Sequence, residues 1–189
     1  MAECELTTLM GCELVIGRYP RFLYNARGGN AVGEVQPGDA GQMNLHFPAE
    51  GTAIPALNGR TTRFLGLPLP PGLSVEIHPI RLNGRFEPAT GEMQLQFCAH
   101  FRFQVGLGPD LRYSAPDLLV DTLLTTETIR SQRHDRQGRR LQGVTTGVLV
   151  GSAVIEPTGE AWLDRFLGLP DEALAVLECR LSLGEDADA

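Results

Sequence analysis

The segment from Glu92 to Val105 constrains the fold more than any other part of the chain. Met93, Leu95, Phe97, Ala99, Phe101, Phe103 and Val105 alternate there with Glu92, Gln94, Gln96, Cys98, His100, Arg102 and Gln104. Successive side chains of a strand point to opposite faces, so the strand gathers these apolar residues on one side, whereas a helix would scatter them around its axis. The run reads as a long strand with one buried and one wet face. Leu73 to Phe86, rich in Val75, Ile77, Ile80 and Leu82, precedes it, and Glu87-Pro88-Ala89-Thr90-Gly91 supplies turn residues between the two; the pair predicts a β-hairpin. Leu118 to Arg130 and Leu141 to Ile155, with polar Ser131 to Arg140 between them and Gly138 as the turn residue, predict a second hairpin. Their threonines (Thr122, Thr125, Thr126, Thr128, Thr145, Thr146) suit a pleated surface because branching at Cβ restricts χ1. Arg21 to Val35 and Gln42 to Phe47 are expected as shorter strands and Leu174 to Leu183 as the last. Short helical turns are expected around Glu160 to Leu167 and Asp171 to Ala175.

Alternation with a polar outer face belongs to antiparallel sheets and argues against a doubly wound parallel one. The expectation is one all-β domain over residues 1–189, an antiparallel β-barrel of about eight strands, with a β-sandwich as the alternative and residues 184–189 as a frayed tail. At 189 residues, 42% of them hydrophobic, the chain can enclose a core without metals or disulfides. It contains no run of roughly 18 apolar residues of the kind a spanning helix needs. Met1-Ala2-Glu3-Cys4-Glu5 is acidic where an export signal is basic, and Cys4, Cys12, Cys98 and Cys179 are scattered singly, which together predict a cytoplasmic protein with free thiols. The net charge of −7 argues against nucleic acid as a partner. All 16 basic residues are arginine, which reads as genome composition rather than mechanism.

Two hexapeptides are identical: Arg63-Phe64-Leu65-Gly66-Leu67-Pro68 and Arg165-Phe166-Leu167-Gly168-Leu169-Pro170. They read either as two equivalent plugs closing a barrel mouth or as a pair of apolar docking loops, with Phe64, Leu65, Leu67, Phe166, Leu167 and Leu169 as the contacts. A looser echo joins Glu87-Pro88-Ala89-Thr90-Gly91-Glu92 to Glu156-Pro157-Thr158-Gly159-Glu160. The hexapeptides, the extension Leu69-Pro70-Pro71-Gly72-Leu73 and the run Leu124-Thr125-Thr126-Glu127 resemble a family of uncharacterised proteins from cyanobacteria and chloroplasts, over roughly residues 30 to 183. That resemblance implies an oxygenic phototroph and a role peripheral to the thylakoid or plasma membrane, with a protein complex as partner. It transfers no catalytic residue.

Chemistry-bearing motifs are few. There is no G-x-S-x-G and no phosphate-binding glycine loop, Gly28-Gly29-Asn30-Ala31-Val32-Gly33 being a turn, so no catalytic residue and no cofactor is assigned. Cys98 and His100 share the polar face of one strand, but two ligands do not make a metal site, and none is assigned. His78, Glu76, His100 and Glu127 are the only nominees for an isomerase or cyclase at a barrel mouth. A lumen lined by Met93, Leu95, Phe97, Phe101 and Phe103 suits an apolar lipid, isoprenoid or pigment if it is hollow, and a filled core if it is not. Arg130, Arg133, Arg136, Arg139 and Arg140 crowd a predicted hairpin tip, either as a solvated end or as a finger that reads anions. The leading functional expectation is a non-enzymatic interaction or assembly factor using the arginines and the repeated loops; the alternative is a carrier of an apolar ligand, and a barrel enzyme comes third.

Overall fold

The computed structural model describes residues 2–141 and 146–184, apart from the Pro109 side chain; the expected tail past Gly184 and the first part of the Leu141 to Ile155 run lie outside them. The chain is built almost wholly of strands: β1 Ala2–Thr8, β2 Cys12–Ile16, β3 Phe22–Tyr24, β4 Asn30–Pro37, β5 Met43–Phe47, β6 Thr52–Ala53, β7 Thr62–Phe64, β8 Leu67–Pro68, β9 Leu73–Glu87, β10 Glu92–Val105, β11 Tyr113–Ser114, β12 Leu118–Thr125, β13 Thr128–Arg130, β14 Asp135–Gln137, β15 Thr146–Ile155 and β16 Asp171–Leu183. Among the described residues one α-helix, α1 Ala161–Leu167, and three single-turn 3-10 segments interrupt them.

Eight of these strands close on themselves in the order β1-β4-β5-β9-β10-β12-β15-β16, with β16 pairing back to β1, and every pairing is antiparallel. The ring closes except at the β12–β15 seam, which a single ladder pair joins, and eight strands enclose a space that side chains can fill or that one small ligand can occupy.

The long hairpin of β9 and β10 sets the height of the barrel. Its fourteen residue pairs run from Glu92↔Glu87 to Val105↔Leu73, with one register shift where Cys98 faces Arg81 and Ala99 faces Pro79. Ile80 is the unmatched residue. Proline has no N–H to give the ladder, so a bulge is where a strand tolerates Pro79, and the bend it introduces divides the barrel into two levels.

Below the bulge, where β9 ends and β10 begins, the wall runs from β16 through β1, β4 and β5 to β9. Above it, where β9 begins and β10 ends, a different set completes the wall. The chain crosses from β1 to β2 along the same edge of β16: Cys4–Thr8 pair with Cys179–Leu183, and Glu13–Ile16 pair with Ala173–Val176. From β2 the upper wall continues through β3 and β7. The Leu57↔Val75 bridge and the Tyr24 hydroxyl, which donates to the Pro55 carbonyl, tie this side to β9.

β1 and β2 are strands that the sequence reading did not anticipate. Arg21 to Val35 is two strands, β3 and β4, separated by the Gly28-Gly29 turn. Asp171 to Ala175 is the start of β16 rather than a helical turn, while α1 lies within the predicted Glu160 to Leu167 segment. The predicted second hairpin is not one hairpin: β12 and β15 share a single ladder pair, Thr125↔Val150, and the polar segment between them forms its own small hairpin, β13 with β14.

Candidate functional site: a hollow upper half

Inward side chains differ sharply between the two levels. Below the bulge Met93, Leu95, Phe47, Leu149 and Leu181 are fully buried, packed with Leu6, Val35, Leu45 and Leu82 into a filled core. Above it, β15 and β16 carry only small residues inward over two registers, Gly151 facing Ala175 and Ala153 facing Ala173. Phe97, Phe101 and Phe103 project into the same space from β10 and stay only half-buried, packed on one side against the buried clusters of the wall and bordering open space on the other.

The result is an apolar cavity of about 330 Å³, within the range of small-molecule sites. Its lining adds Leu14, Phe22, Leu57, Leu69 and Val75 from the upper wall and Ile155, Leu167 and Phe166 from the α1 side. Tyr19 and Thr122 are the lining side chains that carry a hydroxyl, and both are engaged: Tyr19 Oη donates to the Phe166 carbonyl at 2.6 Å and Thr122 Oγ1 to the Ser152 carbonyl at 2.8 Å. The lining therefore offers hydrophobic and dispersion contact and no free hydrogen-bonding group, so a guest with a polar end must leave that end at the mouth.

The repeated hexapeptides meet at that mouth in different conformations. In the first, Phe64 ends β7, Leu65 and Gly66 turn the chain with φ of 51° and 82°, and Leu67 begins β8. In the second, Arg165 to Leu167 end α1, and Gly168, at φ 71°, caps the helix in the left-handed region. Tyr19 packs between them, its ring 6.3 Å from Phe64 and 5.9 Å from Phe166. The two segments are not equivalent plugs. Phe64, Phe166 and Leu167 line the cavity, Leu169 packs with the Leu163 and Leu167 cluster, and Leu65 and Leu67 point to solvent.

Of the five proposed lumen residues, Phe97, Phe101 and Phe103 line the cavity and Met93 and Leu95 belong to the filled core. The signal for the hollow was present in the small inward residues Gly151, Ala153, Ala173 and Ala175, which alternate at the spacing of a strand.

The arginine-rich segment does not project as a finger. Glu172 at the start of β16 accepts from the Ser131 hydroxyl at 2.7 Å and from the backbone N–H groups of Gln132 and Arg133, clamping the β13–β14 tip against the barrel wall. These donors hold the Glu172 carboxyl below its ordinary range. Arg130 pairs with Asp135, Arg133 with Asp171, Arg139 with Glu178, and Arg140 with Glu127 and Glu92, while Arg136 donates to the Asp135 carbonyl.

The nominated acid–base residues are not assembled either. His78 faces His100 and Glu76 faces Arg102 across β9 and β10 on the outer face, away from the lumen. Arg102 grips Asp117 through two bonds of 2.8 and 3.0 Å and holds its carboxyl low. Glu127 sits at the opposite end with Arg140. Among the described residues no group of three or more His, Cys, Asp or Glu side chains could hold a metal, so Cys98 and His100 gain no third ligand. The four cysteines are buried and free, and burial pushes Cys4 and Cys12 up to about 11 and Cys179 to about 12. Among the described residues no helix is long and apolar enough to cross a membrane. No family model, no curated protein and no solved structure matches the chain.

Proposed function

We propose that the protein binds and carries a single-chain apolar molecule of the lipid or isoprenoid class, with the hydrocarbon in the upper half of the barrel and the polar end at the mouth. One observation carries this reading: a 330 Å³ cavity walled by phenylalanines on one side and by Gly151, Ala153, Ala173 and Ala175 on the other. A lumen with no use for its space would be filled, since interiors pack closely and empty volume costs dispersion contacts. An assembly-factor role resting on the arginine segment has less support, because four of its five guanidiniums already face the chain's own carboxylates.

The test is native mass spectrometry of gently purified protein, followed by displacement of a fluorescent fatty acid from delipidated protein. A discrete added mass that organic solvent removes, and saturable binding lost in Ala153→Phe and Ala175→Phe, are the expected results. A bare protein that takes up no probe, or a probe whose binding survives both substitutions, overturns the reading.

A further inference from the structure

The surface around the cavity mouth departs from the rest of the molecule in two independent ways. Leu65, Leu67, Leu107, Leu111, Trp162 and Phe166 are exposed by 71, 69, 78, 78, 42 and 53%. Single exposed leucines are ordinary, but six large apolar side chains on one end of a barrel are not. Their common location follows from the pairing. Val105 faces both Leu73 and Tyr113, Gly106 donates to the Gly72 carbonyl, the Trp162 indole reaches Tyr113 Oη at 3.4 Å, and Phe64 and Phe166 flank Tyr19.

Leu65 stands out among them. It occupies the first position of the two-residue β7–β8 turn in the left-handed region, where Asn or Asp before glycine is favoured and a leucine pays for its Cβ. Its side chain is left mostly in solvent, the residue being 71% exposed. A large apolar residue that is unfavourable for its turn and buries little of its surface points to a contact outside the chain.

Charge says what that is. The mouth segments 17–24, 58–73, 106–115 and 160–170 carry Arg18, Arg21, Arg60, Arg63, Arg112 and Arg165 against Asp110, Glu160 and Asp164, while the rest of the chain carries ten arginines against twenty acidic residues. Asp164 accepts from Thr158 and Gly159 and holds the turn before α1. Arg60, Arg63, Arg112 and Arg165 form no ion pair with a described carboxylate, unlike four of the five arginines of the β13–β14 segment. An acidic body with one basic, apolar end is oriented by a negatively charged surface, and the apolar ring is then positioned to enter it. Trp162 against Tyr113, with ring centroids 5.8 Å apart, is the kind of aromatic pair that sits at a headgroup layer.

We infer that the open end of the barrel docks on an anionic lipid bilayer, with Leu65, Leu67, Leu107, Leu111 and Trp162 in the acyl boundary and Arg60, Arg63, Arg112 and Arg165 among the headgroups. Docking goes beyond carriage, since the surface groups that support it are the same whatever the cavity contains. On such a surface the lumen opens directly onto hydrocarbon, so a guest passes without crossing water.

The experiment is co-sedimentation of the full chain with phosphatidylglycerol-containing vesicles and with pure phosphatidylcholine vesicles, at low and high salt. Binding is expected on the anionic vesicles and is expected to fall with salt. Replacing Arg60, Arg112 and Arg165 together by glutamine is expected to weaken it about a hundredfold, and Leu107→Asp with Leu111→Asp to abolish it. Leu65→Asn is expected to weaken binding while keeping or raising the melting temperature, which separates a docking role from a folding one. Glutamine at Arg133, Arg136 and Arg139 should leave binding intact. Equal binding to both vesicle types, no binding, or binding indifferent to the mouth substitutions overturns the inference. So does a concentration-dependent dimer abolished by Leu107→Asp, which would assign the surface to a second copy of the chain. Probe uptake measured without vesicles reports on the cavity alone, so failure of docking and failure of carriage are read separately.

Discussion

The two levels of the barrel share the strands β9, β10, β15 and β16, yet one is filled and the other hollow. On β15 and β16 the lower inward pairs include Leu149 opposite Leu177 and Gly147 opposite Cys179, while the upper pairs are Gly151 opposite Ala175 and Ala153 opposite Ala173. Substituting small side chains for large ones over two registers is enough to change a packed core into a cavity without altering the backbone plan. Stability is thus concentrated in one half and binding capacity in the other, because a close-packed interior resists loss of volume whereas a cavity can accept or lose a guest.

The largest effect that tests this contrast comes from truncation. Leu95→Ala, in the filled half, should cost about 2–5 kcal/mol, while Phe103→Ala, at a half-buried ring that already borders empty space, should cost less although it deletes more atoms. Urea unfolding of both variants measures the difference, and costs that simply follow the atoms removed would show that the halves are packed alike. Enlargement should reverse the sign. Ala175→Leu fills empty space and should stabilise by about 0.5–2 kcal/mol, whereas Ala31→Leu, at a residue buried in the lower core, should destabilise by about 1–3 kcal/mol through overpacking. If both enlargements destabilise, the upper cavity is not free to be filled.

Buried thiols sharpen the comparison at high pH. Cys4 and Cys179 lie in the lower core and Cys12 in the upper wall. Their pKa values are raised from 9.0 in the ordinary thiol to about 11, 12 and 11 for Cys4, Cys179 and Cys12. Above pH 9 the unfolded chain loses these protons while the folded chain keeps them, so stability is fully present below pH 9 and declines from there towards about pH 12. Below that decline, alkylation of native protein should reach Cys12 before Cys4 and Cys179, since the hollow half opens at lower cost. Mass mapping of the labelled peptides reads the order, and simultaneous labelling of all three would mean that the barrel opens only as a unit.

Much of the wall was legible in the sequence and much of the interior was not. The period of two from Met93 to Val105 fixes the longest hairpin because a strand is the only regular structure that places those residues on one face. The same period says nothing of what stands opposite, so Met93 and Phe103 read alike although one is sealed among Leu-rich neighbours and the other borders a cavity that Gly151 and the alanines also line. Identical letters also mislead: Arg-Phe-Leu-Gly-Leu-Pro forms a hairpin at 63–68 and a helix end at 165–170, since six residues are too few to override what precedes them. Here Asp164 holds Thr158 and Gly159 so that α1 can form, and Thr62 is paired into β7. β1 and β2 escaped notice because the sheet, not local alternation, completes them.

The smallest expected effect concerns the arginine-rich segment, which the sequence made conspicuous and the structure makes a strap over the hollow half's outer wall. Arg130→Ala and Arg133→Ala should each change stability by less than about 1 kcal/mol, since exposed ion pairs gain little over hydration. The clamp at Glu172 is different in kind. Its pKa is lowered chiefly by the Ser131 hydroxyl and further by the Arg133 and Gln132 amides, so its contribution is present above the ordinary carboxylate pKa and is lost as pH falls through the depressed one. Glu172→Gln should lower the protection of the Gln132 and Arg133 amides against hydrogen exchange at neutral pH, and acidifying the unmodified protein through the depressed pKa should lower the same protection factors, each referred to the intrinsic rate at that pH, with protection at Met93 and Leu95 unaffected in either case. Faster exchange spreading into β10 would mean that the strap supports the barrel itself, and the division between a structural lower half and a functional upper half would then have to include this outer segment.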